Sequence, residues 1–133
     1  MIQQMLTSIG KKSKSALAHQ LDTKKKNKVL IDYCILIKKN QKLILIANKK
    51  DVNRSINKGI KKNLIDRLIL NENKIDSMIH SIKSVIKLKD PTNRVLEKWK
   101  RPNGLSISKV SIPIGIIAVI YESRPNVTSD VAS

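Results

Sequence analysis

Six consecutive residues, Tyr121 to Asn126 (YESRPN), place a phenol, a carboxylate, a hydroxyl, a guanidinium and an amide directly after an apolar run. That run, Ile114 to Tyr121, is almost continuously β-branched, as suits a strand covered on both faces in a parallel sheet. Polar groups just past the carboxyl end of such a strand lie where open α/β sheets bind their ligands. Within the turn, the Arg124 guanidinium is suited to pairing with a phosphate or a carboxylate. Pro125 keeps Arg124 out of helical geometry, so the turn is extended. Thr128 or Ser129 then caps a following helix, with Asp130 in its first turn. Turn chemistry alone leaves a plainer alternative, in which Arg124, Pro125 and Asn126 only shape the chain reversal.

The elements that must hold this turn are mostly helical. Residues Met1 to Ala18 form a loosely amphipathic surface helix with Ile2, Met5, Leu6 and Ile9 on one side. Its cations are all lysine and it has no continuous apolar core, so a surface helix is favoured over a targeting peptide. Lys24 to Ala47 is expected to be helical, with Leu30, Tyr33, Cys34, Ile37, Ile44 and Leu45 near one face. Asn48 and Asp51 read as a break and the start of a short helix ending near Gly59, a natural residue just past a helix end. Asn71 is placed to cap a helix from Glu72 to about Leu88, in which Ile75, Met78, Ile79, Ile82 and Ile86 recur at three- and four-residue intervals. Asp90 and Pro91 end it. After the turn Arg101-Pro102-Asn103-Gly104, a strand begins at Leu105, Ile107 and Val110 and reaches Pro113, a residue that sits naturally at a strand boundary.

The segment IPIGIIAVIYESRPNVTSDVAS closely resembles the PLGVIGVIYE-[AS]-RPNVT segment of the gamma-glutamyl phosphate reductases (glutamate-5-semialdehyde dehydrogenases), a family of the aldehyde dehydrogenase superfamily. The resemblance continues upstream through ANKKDV (Ala47, Asn48, Asp51), LIDRLIL (Leu64 to Leu70), LKDP (Asp90, Pro91) and RPNGL (Arg101 to Leu105), in the family's order, and is weakest over the lysine-rich start. It implies an α/β fold, incomplete here: the N-terminal helical part and first strands of an aldehyde dehydrogenase-like fold. Residues 1–104 would be the mainly helical N-terminal part of the cofactor-binding domain, and 105–112 a strand toward the oligomerisation hairpin. Residues 113–133 would supply the first strand of the cofactor-binding sheet, the active-site turn and the start of a helix.

The activity so implied is reduction of L-glutamyl 5-phosphate to L-glutamate 5-semialdehyde with NADPH, in proline biosynthesis. A cysteine thiolate displaces phosphate and hydride reduces the resulting thioester, which splits one difficult step into two. The family's nucleophilic cysteine matches nothing in this chain, so these residues alone are expected to be inactive. By the same resemblance Asn126 is the candidate oxyanion donor, since a fixed amide dipole stabilises developing negative charge without an ionisation cost. Arg124 is the candidate substrate-binding residue. Tyr121, Glu122 and Ser123 form the candidate cofactor-binding turn. A cytoplasmic homo-oligomer is expected for the complete enzyme. Asp66 and Arg67, in the LIDRL block, are assigned no catalytic role, because a helical acid and base beside leucines usually make surface contacts worth ~0 to 1 kcal/mol.

Composition bounds the remaining possibilities. With 133 residues, 41% of them hydrophobic, the chain has enough apolar material for one small core. The net charge of +17 and a pI near 10.2 point toward polyanions. The lysines are scattered along helices, however, and Trp99, Tyr33 and Tyr121 are too far apart in sequence to form a base-stacking platform. Salt-sensitive, nonspecific polyanion adsorption is therefore expected, with a dedicated nucleic-acid binder as a lesser alternative. A third reading is an interaction module that docks on a full-length reductase subunit by strand addition through Ile107 to Ser111. No run approaches the ~20 apolar residues of a membrane span. Cys34, the single cysteine, lies on an apolar helical face without a neighbouring histidine and reads as a small buried hydrophobe. One cysteine also fits a reducing compartment. His19 and His80 lack metal-ligand spacing, and no metal is expected.

Overall fold

The computed structural model describes residues 2–19, 21–121 and 124–133. The chain divides into two compact units, one of Met1–Leu21 with Lys89–Ala118 and one of Asp22–Leu88 with Val119–Ser133.

The second unit carries the core. Helix α2 (Thr23–Lys39) starts where the Asp22 carboxylate accepts from the Lys25 amide at 2.7 Å, which satisfies one of the amides that a helix start leaves without an internal partner. Helix α5 (Glu72–Ile86) starts the same way, with Asn71 Oδ1 accepting from the Lys74 amide at 2.8 Å. The apolar stripes of these two helices face each other. Cys34 and Ile37 from α2 pack with Ile75, Ile79 and Ile82 from α5, bordered by Leu30, Tyr33, Ile44, Leu45 and Ile86. The three- and four-residue spacing thus identified this core correctly. Cys34 is buried within it, its thiol directed at the Ile79 carbonyl at 3.9 Å, which is the environment of a structural rather than a reactive cysteine.

Two helix boundaries differ from those expected. The break comes at Asn40, ahead of Asn48: α2 ends there and α3 (Gln41–Asn57) follows at once. Asn40 donates from both its backbone and its side chain to the Leu36 carbonyl, at 3.0 and 2.8 Å, so the amide competes with the helix ladder for its acceptor. Asn48 and Asp51 instead lie inside α3. That helix does end as the glycine signals. Gly59 has φ +67°, its amide donates to the Ile56 carbonyl at 2.9 Å, and the Ile60 amide donates to Ser55 at 3.1 Å, the paired reverse bonds of a Schellman motif. A short helix α4 (Lys62–Leu68) connects to α5, and α6 (Pro125–Ala132) packs on α5.

Helix α6 also begins earlier than expected. Pro125 takes its first position, with Arg124 as an extended N-cap (φ −115°, ψ 115°) that makes no side-chain cap. Proline is favoured at that position because its fixed φ suits a helix and its missing N–H would have no partner anyway. Asp130 consequently sits in the second turn, and Ser129, an expected cap, is instead buried and donates to the Asn126 carbonyl at 2.7 Å.

In the first unit, α1 (Ile2–Leu17) buries no residue. Strands β1 (Val95–Lys100) and β2 (Ser106–Val110) form an antiparallel hairpin in which Trp99 opposes Ile107, and Glu97 opposes Lys109 with a 3.3 Å ion pair. The 101–105 turn closes through the Arg101 amide to the Leu105 carbonyl at 2.8 Å, and Gly104 supplies φ +86°. Strand β2 was anticipated from sequence. Strand β1 was not, since Val95–Lys100 fell inside a stretch read as mainly helical and turn.

Among the described residues β1 and β2 are the only strands. Ile114 to Tyr121, read from sequence as a strand, pairs with neither. The apolar run has the composition of a buried strand, but a strand exists only through its ladder, and the described residues include no third strand to provide one. Ile114 and Ile120 are 88% and 100% exposed.

Candidate functional site

Asn48 is the residue that builds the surroundings of the turn. It is 8% exposed on α3. Its Nδ2 donates to the Leu68 carbonyl and its Oδ1 accepts from the Leu70 amide, both at 2.8 Å. One side-chain amide thereby satisfies a carbonyl at the end of α4 and an amide just past it. The held segment, Leu68 to Leu70, is the wall of two hollows.

The first hollow, of about 360 Å³, is lined by Ala47, Asn48 and Asp51 of α3, by Leu68 and Leu70, and by Tyr121, Arg124 and Thr128. The Tyr121 and Thr128 hydroxyls lie 3.2 Å apart. Asp51 is shared with Arg54 through a 3.8 Å i,i+3 pair, both side chains more than half exposed, a contact too long and too wet to hold either group. Tyr33, on the bordering core, has its phenol pushed above its ordinary value, first by burial and then by the neighbouring Tyr121 phenol and the Cys34 thiol.

The second hollow, of about 300 Å³, is lined by Arg67, Ile69 and Leu70, by Lys74, Ser77, Met78 and Ser81 of α5, and by Asn126 and Asp130 of α6. Asn126 and Asp130 are one turn apart, and Asn126 Nδ2 donates to Asp130 Oδ2 at 3.3 Å. Lys74 Nζ is held by the Ile69 carbonyl at 2.6 Å. Arg67 makes no hydrogen bond or ion pair among the described residues.

The residues singled out from sequence are therefore divided. Tyr121 and Arg124 line the first hollow, whereas Asn126 lines the second. Glu122 and Ser123 lie outside the described residues. Sequence reasoning did not pick out Arg67, Lys74 or Asp130 as site residues. The LIDRL block contained Arg67, but no spacing rule connects it with Asn126 nearly sixty residues on. Among the described residues no three His, Cys, Asp or Glu side chains converge as a metal site would require, and no helix is long and apolar enough to cross a membrane.

Similarity to known proteins runs over nine-tenths or more of the chain. No protein-family model matches it. It is 47% identical over 125 residues to the gamma-glutamyl phosphate reductase of Nitratiruptor sp., covering 92% of this chain and 30% of that protein. It is 42% identical over 132 residues to that of Thermodesulfovibrio yellowstonii, covering 98% and 32%. The crystal structure of the Thermotoga maritima gamma-glutamyl phosphate reductase superposes with a TM-score of 0.81 at 41% identity, over 91% of this chain and 29% of that one. The Saccharomyces cerevisiae protein superposes with 0.80 at 30% identity, over 90% and 30%. The chain spans about 30% of the length of the curated relatives it matches. Its α/β arrangement of helices and one hairpin matches the N-terminal part of the solved structures. With sequence and backbone in agreement, the chain is a homologue of the N-terminal part of the gamma-glutamyl phosphate reductases.

Proposed function

We propose that the chain is the N-terminal part of an NADPH-dependent, cytoplasmic reductase that converts L-glutamyl 5-phosphate to L-glutamate 5-semialdehyde in proline biosynthesis. The observation that carries this reading is Asn126. It follows the Arg124-Pro125 corner at the second position of α6 and opens on a hollow lined by the Arg67 guanidinium, in a chain nearly half identical to proteins named for this reaction. Among the described residues its Nδ2 is engaged only by a long, exposed bond to Asp130, so the amide can exchange that partner for a developing oxyanion. Preorganised donors of this kind act mainly in the transition state. Arg124, on the other hollow, is suited to pairing with the phosphate or carboxylate of the substrate.

NADPH would supply the hydride when bound. Among the described residues no dinucleotide cradle is formed. Gly10 lies within α1, Gly59 ends α3, Gly104 turns the hairpin, and Gly115 has open space around it, so none opens a phosphate-binding loop at a helix start. Tyr121, Glu122 and Ser123 are the candidates for a flank of the nicotinamide. Cys34 is buried in the core and does not serve as the nucleophile. We further propose that the β1–β2 hairpin, which has two open edges, serves homo-oligomer formation. The excess positive charge adds weak polyanion adsorption that salt removes.

The test is an assay of the native protein carrying this segment, isolated with an antibody to residues 71–90. Phosphate-dependent reduction of NADP⁺ by L-glutamate 5-semialdehyde is expected. Asn126→Ala should lower kcat by roughly 10²–10³-fold with a smaller change in KM. The 133-residue chain alone should show no turnover. Absence of phosphate-dependent NADP⁺ reduction by the native protein would rule the reading out.

A further inference from the structure

We propose that the second hollow is an amino-acid headgroup site, in which Arg67 takes the α-carboxylate and Asp130 the α-ammonium of an L-glutamyl substrate whose reacting carbonyl lies at Asn126. The assignment deepens the reading of Asn126 given above and rests on it.

Three observations carry the proposal. A zwitterionic headgroup needs one cation and one anion on opposite sides of a small cavity, and this hollow provides Arg67 from α4 and Asp130 from α6. The cation is available: Lys74 is committed to the Ile69 carbonyl, whereas Arg67 has no hydrogen-bond or ion-pair partner among the described residues. Its planar fork suits a carboxylate better than an ammonium would. The spacing also fits. Asn126 and Asp130 are four residues apart on one helix, which puts their backbones on one face about 6 Å apart along the axis at 1.5 Å per residue, so side chains now in contact at 3.3 Å have room to part around the two ends of the ligand. From the reacting carbon of an extended glutamyl chain to its α-nitrogen, three C–C bonds and one C–N bond span roughly 5 Å. The Ser81 hydroxyl, also on the lining, remains as a further donor for the carboxylate.

Binding exchanges partners without leaving a polar group orphaned. The ammonium replaces Asn126 Nδ2 as the partner of Asp130, and that displacement frees the Asn126 amide for the carbonyl oxygen. Headgroup capture therefore arms the oxyanion donor. Because Arg67 and Asp130 are both solvent-exposed, the attraction is screened and binding is weak, in the millimolar range.

The test uses the 133-residue chain labelled with ¹⁵N, and L-glutamate, glutarate and 4-aminobutyrate as probes. L-Glutamate should move the amide signals of Arg67, Ser81, Asn126 and Asp130 saturably. Glutarate lacks the ammonium and 4-aminobutyrate lacks the α-carboxylate, and each should bind at least about tenfold more weakly, as should L-glutamate to Arg67→Gln and Asp130→Asn. If a variant loses its native spectrum, the three probes on the unaltered chain still decide. Equal shifts from all three, or no saturable shift with L-glutamate, overturn the proposal. In the native protein, glutarate semialdehyde oxidised as well as L-glutamate 5-semialdehyde would refute the headgroup site and leave the reductase reading intact. L-Glutamate binding here in a protein without reductase activity would do the reverse.

Discussion

Ile75 and Ile120 are the same residue in opposite circumstances: the first has no exposed surface and the second is fully exposed. Ile75 stands on a capped helix whose apolar stripe meets the stripe of α2. Ile120 stands in a run of equal hydrophobicity that neither pairs nor packs, together with Ile114 and Ile117. Hydrophobicity drives burial only where a second surface is available. Helices α2 and α5 complete their backbone hydrogen bonds internally and need only each other's side chains. A central strand needs neighbours on both edges before its side chains can be covered.

The largest effect that can break this comparison comes from truncating the two sides alike. Ile75→Ala and Ile82→Ala should each destabilise by about 2–5 kcal/mol in urea unfolding, whereas Ile114→Ala and Ile120→Ala should change stability by less than ~0.5 kcal/mol. Equal losses would mean that the apolar run is packed in solution. Next is Asn48→Ala, which strips partners from the Leu68 carbonyl and the Leu70 amide and should cost about 2–4 kcal/mol. Hydrogen exchange should then show the Leu70 amide opening ahead of α5. A smaller loss is expected from the cap: Asn71→Ala should cost about 1 kcal/mol by the same unfolding measurement. Smallest is the exposed Lys38–Asp76 pair, 2.6 Å long with both side chains more than half exposed. Lys38→Ala should cost at most ~1 kcal/mol, and 1 M salt should abolish even that.

Alkaline titration sharpens the same contrast. Tyr33 is raised in the folded state by burial, then by Tyr121 and Cys34. The unfolded chain releases its phenolic proton first, so this contribution to stability is complete below pH ~10 and is lost as pH rises toward the folded value. Ultraviolet titration of Tyr33→Phe against the unaltered chain should remove the raised phenol and the matching part of the alkaline loss.

Much of the helical unit was legible in advance because its signals are local. Asn71, the isoleucine spacing of α5 and Gly59 each act within one or two turns of where they stand. The signals that misled were those with more than one physical outcome. Asn48 has the composition of a break, but its amide is used across α3 to hold Leu68 and Leu70. Asn40, in an unremarkable lysine-rich stretch, stands at the actual break, with its side chain bonded to the Leu36 carbonyl. Thr128 and Ser129 looked like caps, yet Pro125 already starts the helix.

The sequence by itself determined the apolar stripe of α5, its Asn71 cap, the Gly59 helix end and the extended corner at Arg124-Pro125, because each is written in residues adjacent along the chain or one helical turn apart. Only the tertiary structure decided that Arg124 and Asn126 line different hollows, that Asn48 holds the wall of both, and that Arg67 and Asp130 share a cavity with Asn126. Those juxtapositions depend on how α3, α4, α5 and α6 pack, and packing joins residues whose separation along the chain carries no periodic signal.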